Sequence, residues 1–366
     1  MTGTFGRNIR ISLFGVSHGE YIGITADGLP AGMAYDQNAV ERMMERRRAR
    51  GDISTSRHEG DKAGVISGLY NGYTDGTPLT IIIKNTDAGH KDYPERVLRP
   101  SHADYTSYIK LAGYGDFRGG GSFSGRMTAP LTALGGFLKS ALEKKGILIA
   151  SHLSSVGEIR DDDFEEADES LLKEQFAALS DSPFPVINGE RGDEMKNAVR
   201  EAAAEGNSLG GTVETAVAGL PKGVGSPFFD SLESVISHLA FSVPAVKGIE
   251  FGMGFGLAYL SGIEANDQFA FDGGVKTISN LSGGINGGIS NGMPLIYRVV
   301  FRPTPSIAKR QQTVDLLTKE EKPLELKGRH DPCIAHRAVP VMEAVTAIGL
   351  FDLLLDEGRD LWKAGF

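Results

Sequence analysis

Residues 118–146, RGGGSFSGRMTAPLTALGGFLKSALEKKG, hold the features from which the architecture is read. Leu131, Leu134, Leu138 and Leu142 recur at helical spacing, which predicts a core-packed helix from Met127 to Lys145 that Gly146 stops. Residues 147–151 (ILIAS) then read as a strand. Ahead of the helix, Gly119-Gly120-Gly121 lets backbone N–H groups converge, and the helix N-terminus adds partial positive charge. Ser124 can donate a hydrogen bond and Arg126 can grip a phosphate or carboxylate in a fork. A glycine turn capped by serine has the same composition, so by itself the run is a candidate anion site. No Gly-Lys-Ser/Thr follows it, which excludes a P-loop, and no GxGxxG sits in a strand–turn–helix, which disfavours a dinucleotide-binding oxidoreductase.

Outward from this segment the chain alternates helix and strand signals. Residues 9–14 (IRISLF) and 79–84 (LTIIIK) read as strands, as do 212–218, 246–252 and 295–301. Asp36 is placed to cap a helix through Val40, Met43 and Met44 that ends in an arginine cluster. Residues 193–205 and 232–241 read as helices, and Ala338–Leu355 as a long apolar one in which Pro340 fits only the first turn. The polar stretch from Asn85 to Asp116 is long for an idle loop and points to function. Residues 158–174 carry nine acids, read as a solvated surface because no histidine accompanies them. With no repeat and no Pro/Ser-rich linker, residues 1–366 are expected to form a single domain of mixed α and β.

The formal net charge of −9 disfavours a nucleic-acid binder. Positive charge is local, with Arg42, Arg46, Arg47, Arg48, Arg50 and Arg57 in one short stretch. They suit either a focused anion site or a helix end whose arginines complement the dipole. Cys333 is the only cysteine, so neither an internal disulfide nor a cysteine metal site is expected, and no metal is assigned. No apolar run is read as approaching the ~20 residues that span a bilayer, and Met1–Arg10 lacks an apolar signal core. A cytoplasmic protein without membrane contact is expected.

Three further clusters pair an imidazole with charge. They are Ser17-His18-Gly19-Glu20, Arg99-Pro100-Ser101-His102-Ala103-Asp104 and Arg329-His330-Asp331-Pro332-Cys333. His18 between small residues suits proton transfer, and a hydrogen-bonded structural histidine suits the same setting. Arg99 and His102, three residues apart, can address one phosphate. Asp331 beside Arg329 would stay ionised and can serve as a base, or the two form a structural pair at a helix start. Residues 281–292 (LSGGINGGISNG) and Arg302-Pro303-Thr304-Pro305-Ser306 can supply donors to a planar ring or phosphate, or be ordinary turns.

Taken in order, these motifs resemble chorismate synthases over nearly the whole chain. The carriers are GxSHG at Gly15–Gly19, RRR at Arg46–Arg48, RPxHADY at Arg99–Tyr105 and GGGxxSGR at Gly119–Arg126. AVKGxE follows at Ala245–Glu250, GGxxGGISxG at Gly283–Gly292 and GRHDPCxxxRAVPxxEA at Gly328–Ala344. The resemblance implies an α+β fold, a β-α-β sandwich with long helices between two antiparallel sheets, assembled as a homotetramer. It implies conversion of 5-enolpyruvylshikimate 3-phosphate to chorismate and phosphate, with reduced FMN required but no net redox change. By family position Arg47, Arg99, Arg126 and Arg329 would bind the substrate, and His18, His102 and Asp331 would be catalytic. His102 would protonate the departing phosphate, His18 would set the flavin's protonation, and Asp331 would assist proton removal. Ser122, Phe123, Ser124, Ala245, Gly287, Arg302, Pro303, Thr304, Pro305, Ser306 and Arg329 would contact the flavin. Two departures stand out: Ser122-Phe123-Ser124 replaces the Arg-Ser-Ser of many members, and the Pro-Gly after RRR is missing, leaving Arg50 or Arg57 as the second basic ligand. Some members reduce their own flavin with NADPH. With no reductase domain evident here, an external flavin reductase is expected.

Overall fold

The computed structural model describes residues 3–49, 51–55, 60–86, 97–116, 119–166, 168–271, 273–326 and 330–356. Its first sheet comes from the N-terminal part of the chain. Strands β1 (Thr4–Phe5), β2 (Arg10–Gly15), β3 (Tyr21–Asp27) and β4 (Ala63–Ser67), with β7 (Leu79–Lys84), lie in the order β1-β2-β3-β7-β4. Every pairing is antiparallel, with Ile24 opposite Ile81 in the centre. The small hairpin β5–β6 (Leu69–Tyr70, Tyr73–Thr74) precedes β7.

The second sheet uses β8 (Leu148–Val156), β9 (Ile159–Arg160), β10 (Gly211–Ala218), β11 (Val246–Phe251) and β16 (Leu295–Phe301), ordered β11-β16-β10-β8-β9. It too is antiparallel, and Val213 of β10 faces Leu153 on one side and Val299 on the other. Hairpins β12–β13 (Phe269–Phe271, Val275–Thr277) and β14–β15 (Ile285–Asn286, Ile289–Ser290) lie between β11 and β16, and β17–β18 (Gln311–Val314, Glu321–Leu324) follows β16.

Helices α1 (Gln37–Arg47), α3 (Thr128–Glu143) and α8 (Ala335–Asp356) fill the space between the sheets. Helix α3 packs on β3 and β7 of one sheet and β8 of the other, while α8 packs on β8 and β10. All four leucines of the predicted stripe are buried in this layer, each contributing roughly 1.5–3 kcal/mol. The α3–α8 crossing depends on Gly135, where a Cβ would lie 2.3 Å from that of Ala344. Asp36 caps α1 as expected, its side chain accepting from the Ala39 N–H at 3.0 Å. This is the expected α+β sandwich of antiparallel sheets around helices.

Outside the second sheet lies another layer, α4 (Glu169–Leu179) and α5 (Gly189–Ala204). Leu172, Phe176 and Leu179 pack on Ala150, Ala216, Ala218 and Ile296, so β8 and β10 are covered on both faces. The remaining helices are α2 (Asp104–Lys110), α6 (Leu232–Ser242) and the one-turn α7 (Gly262–Ala265).

Several expectations need correction. Helix α8 starts at Ala335, so Pro340 stands in its second turn and not its first. Ala335–Leu355 is in fact apolar and long enough to cross a membrane, with mean hydropathy 1.8, yet 94% of its 18-residue apolar window is buried, as in a core helix. The acidic run is not all solvated surface. Asp161 is buried and lies 2.9 Å from Nδ1 of His152, a histidine on β8 that the local reading of 158–174 could not supply.

Candidate functional site

The glycine-rich run folds as two 3-10 turns, Gly121–Phe123 and Gly125–Met127, and α3 begins at Thr128. Ser124 caps the second turn by accepting from the Arg126 N–H at 3.1 Å. Gly119 has φ +60°, and a Cβ there would fall 2.0 Å from Cε1 of His18. Glycine is therefore required for the imidazole to sit against this backbone. His18 follows β2 in a turn fixed by the Ser17 N–H donating to the Gly121 carbonyl at 3.1 Å, and Ser17 Oγ lies 2.9 Å from His18 Nδ1.

Arg126 is buried, and its Nε donates to Asn85 Oδ1 at 3.0 Å. Asn85 in turn donates to the carbonyls of Val16 and Gly19, at 3.2 and 2.7 Å, which ties Arg126 to the His18 turn. The other end of Arg126 meets Asp61, whose second oxygen accepts from Arg47 Nη1 at 3.0 Å. Arg47 also donates to Thr128 Oγ1 at 2.9 Å and to the Gly125 carbonyl at 3.0 Å.

The RRR end of α1 therefore divides. Successive helical residues point about 100° apart, so only Arg47 enters the cluster. Arg46 forms a two-pronged pair with buried Glu343 at 2.7 Å, which Lys139 joins at 2.7 Å. Burial would raise the Glu343 pKa, but these two cations bring it down to about 2. Arg48 pairs with Glu45 and Arg42 is exposed. Arg50 and Arg57 lie outside the described residues.

On the other flank of the glycine run, Arg99 Nη2 donates to the Gly119 carbonyl at 2.6 Å. Its Nε and Nη2 both reach Asp104, at 2.8 and 2.6 Å. Asp104 also receives His102 Nδ1 at 2.7 Å. Burial acts to raise the Asp104 pKa, yet hydrogen bonds from Arg99 and His102 hold it well below the usual carboxylate range. Asp331 accepts from the Thr55 N–H at 2.8 Å and from Arg337 at 2.5 Å, and Arg337 Nε reaches the Arg47 carbonyl at 3.2 Å. The arginine paired with Asp331 among the described residues is Arg337, not the expected Arg329. Arg329 lies outside the described residues.

His18, Arg126, Arg47, Arg99, His102 and Asp331 are consequently joined in one continuous network around Gly119–Gly125. A cavity of about 460 Å³ opens beside it, lined by His102, Asp104, Ser122 and Phe123 with the apolar Phe14 and Met127. Pro244 also lines it, and the Ala245 carbonyl accepts from the Arg302 N–H at 3.0 Å. Arg302 Nη1 donates to the Ser101 carbonyl at 2.7 Å, next to His102. The run Arg302–Ser306 continues to the Asp331 side, where Ser208 donates to the Thr304 carbonyl at 2.8 Å and the Leu209 N–H to the Pro332 carbonyl at 2.8 Å.

Gly287 is placed apart. Its hairpin rests on the first turn of α6, the Leu232 N–H donating to the Gly288 carbonyl at 3.0 Å, whereas Ser242 and Pro244 line the cavity near the other end of that helix. Asp61 and Asn85 are members of the network that local sequence patterns did not single out. Arg337 was visible only as part of the long C-terminal motif.

A family model described as chorismate synthase matches residues 9–355. The chain is 42% identical over 362 residues to a chorismate synthase of Thermococcus gammatolerans, covering 98% of each. It is 41% identical over 360 residues to one of Methanosarcina barkeri, covering 97% of this chain and 96% of the relative. A crystal structure of chorismate synthase superposes with a TM-score of 0.77 at 28% identity, covering 96% of this chain and 93% of the other. The family match, the identity along nearly the whole chain and the shared sandwich fold point the same way: this chain belongs to the chorismate synthase family.

Proposed function

We propose that the network around Gly119–Gly125 is the place where this family member carries out its reaction, the 1,4-elimination of phosphate from 5-enolpyruvylshikimate 3-phosphate to give chorismate. The observation that carries the proposal is the meeting of Arg47, Arg126, Arg99, His18 and His102 from four separate stretches of chain. The substrate has two carboxylates and a phosphate, and guanidinium groups bind such oxyanions in a fork. In this reading Arg47, Arg99 and Arg126 hold the substrate, Arg329 joins them, and one catalytic domain spans the chain.

The residues present fit a flavin. Phe14, Phe123, Met127 and Pro244 give the cavity an apolar wall suited to a planar ring. Thr304 Oγ1 is buried without a hydrogen-bond partner among the described residues, as expected of a group that waits for a ligand. Ser122, Phe123, Ser124, Ala245 and Arg302–Ser306 would hold the group, and Gly287 has the least support. When bound, reduced FMN supplies the electron density that loosens the carbon–oxygen bond to phosphate.

The protein's own share is positioning and proton handling. Asp104 accepts from His102 Nδ1, which leaves Nε2 facing the ligand; as the imidazolium, with both ring nitrogens protonated, His102 would give the Nε2 proton to the departing phosphate. Ser17 and Gly119 fix the ring of His18, which would exchange a proton with the bound flavin. Asp331 assists removal of the hydrogen at the other end of the allylic system. An external flavin reductase using NADPH would supply the reduced cofactor, in the cytoplasm. Exposed Phe255, Tyr259, Phe269 and Phe271 support assembly as a homotetramer. Titration of the protein with FMN, followed by flavin fluorescence, tests the proposal: binding is expected to tighten at least about tenfold when substrate is present. Equal affinity with and without substrate would count against a shared site.

A further inference from the structure

Asp61 is a carboxylate between two arginines that no motif marked. One oxygen takes Arg47 Nη1 at 3.0 Å and the other takes Arg126 Nη1. All three groups are buried, with side-chain exposures of 5% for Arg47, 6% for Arg126 and 2% for Asp61. Two guanidinium groups brought together out of water repel each other, and a bridging carboxylate removes that repulsion. Asp61 bridges them from an unusual backbone position, with φ +39°. A non-glycine residue in the left-handed region is uncommon and persists where its surroundings hold it there. The rest of each arginine is aimed from elsewhere: Arg47 by Thr128 and Gly125, Arg126 by Asn85.

We infer that Asp61 is a positioning residue for substrate binding: its carboxylate sets Arg47 and Arg126 side by side as a single oxyanion clamp. This rests on the proposal that those arginines bind the substrate. The clamp is then preformed before the ligand arrives, so less of the binding energy is spent on ordering two long side chains. The effect of losing it falls on ground-state binding, and thus on KM more than on kcat.

The test is calorimetric titration of the FMN-loaded protein with 5-enolpyruvylshikimate 3-phosphate, together with steady-state kinetics, for wild type, Asp61→Asn and Arg126→Ala. Asp61→Asn is expected to raise Kd and KM about tenfold or more, with kcat falling by a smaller factor. Asn binding as tightly as wild type, or tighter, while Arg126→Ala loses binding, would overturn the positioning role and leave the substrate site standing. Arg126→Ala binding like wild type would instead remove the substrate site and the inference with it. Should the Asn variant fail to fold in a thermal melt, Asp61→Glu decides. Its longer arm shifts the carboxylate, and at least about a threefold rise in Kd is expected, whereas an unchanged Kd overturns the role.

Discussion

Asp104 Oδ1 lies 2.7 Å from His102 Nδ1, and the same carboxylate receives two nitrogens of Arg99. An ionised carboxylate only accepts, so Nδ1 carries the proton of this hydrogen bond and Nε2 is the atom left for exchange with a ligand. Asp104→Asn removes the negative charge that receives the Nδ1 proton and offers an amide in its place. The variant is expected to keep its fold and lose roughly 10- to 100-fold in kcat, part of the ~10²–10⁴ that a general acid provides. Steady-state rates across pH check this; a kcat profile equal to wild type would separate Asp104 from the chemistry.

Gly119→Ala places a methyl carbon where it would be 2.0 Å from the His18 ring, on a backbone with φ +60°. The ring must move, and a displacement near 1 Å at a reacting group costs about 100-fold in rate. The left-handed backbone also strains alanine by about 1–2 kcal/mol, so the melting temperature should fall by a few degrees while the protein stays folded. Normal turnover in a folded Gly119→Ala protein would show that His18 need not sit there.

Glu343 is the shared partner of Arg46 and Lys139 between α1, α3 and α8. Glu343→Gln leaves two nearly buried cations without their anion and is expected to cost about 3–5 kcal/mol, read from urea unfolding. Its folded pKa is depressed from 4.5 to about 2. The stabilisation is therefore complete above the unfolded value and is lost as pH falls through the folded one. Wild-type stability should drop in that acid window, and the Gln variant should show a shallower drop.

His152 is enclosed by Asp161 and Glu214, each at 2.9 Å. Burial alone would lower its pKa, but the hydrogen bonds its ring donates to the two carboxylates raise it from the usual histidine value of 6.5. A raised folded pKa gives stability that is full below the unfolded value and declines as pH rises through the folded one. The melting temperature of wild type should thus fall on the alkaline side. His152→Gln should lack that slope and lose about 1–3 kcal/mol for a buried acceptor left unsatisfied. Parallel pH profiles for the two proteins would exclude His152 as their source.

Much of the sandwich was legible because its elements carry strong local signals. Residues 79–84 and 295–301 are mostly apolar, interrupted only by Thr80, Lys84 and Arg298, and the strands match them residue for residue. Strand β3 was missed because Gly23 and Thr25 interrupt its apolar pattern; only Ile22, Ile24 and Ala26 face the core. Helix α4 was hidden among acids, although Leu172, Phe176 and Leu179 keep helical spacing. At the site, glycines and histidines in short motifs were visible as candidates. Their meeting was not, since Asp61, Asn85 and Gly119 connect segments far apart in sequence. No local pattern tells an aspartate that bridges two arginines from one on the surface.

The most direct measurement is an anaerobic assay of the purified protein with dithionite-reduced FMN and 5-enolpyruvylshikimate 3-phosphate, with chorismate and inorganic phosphate followed together. Equimolar release of both, with no net oxidation of the flavin and none of either product from oxidised FMN, is the predicted result. Substrate that binds but yields no chorismate under these conditions would contradict it.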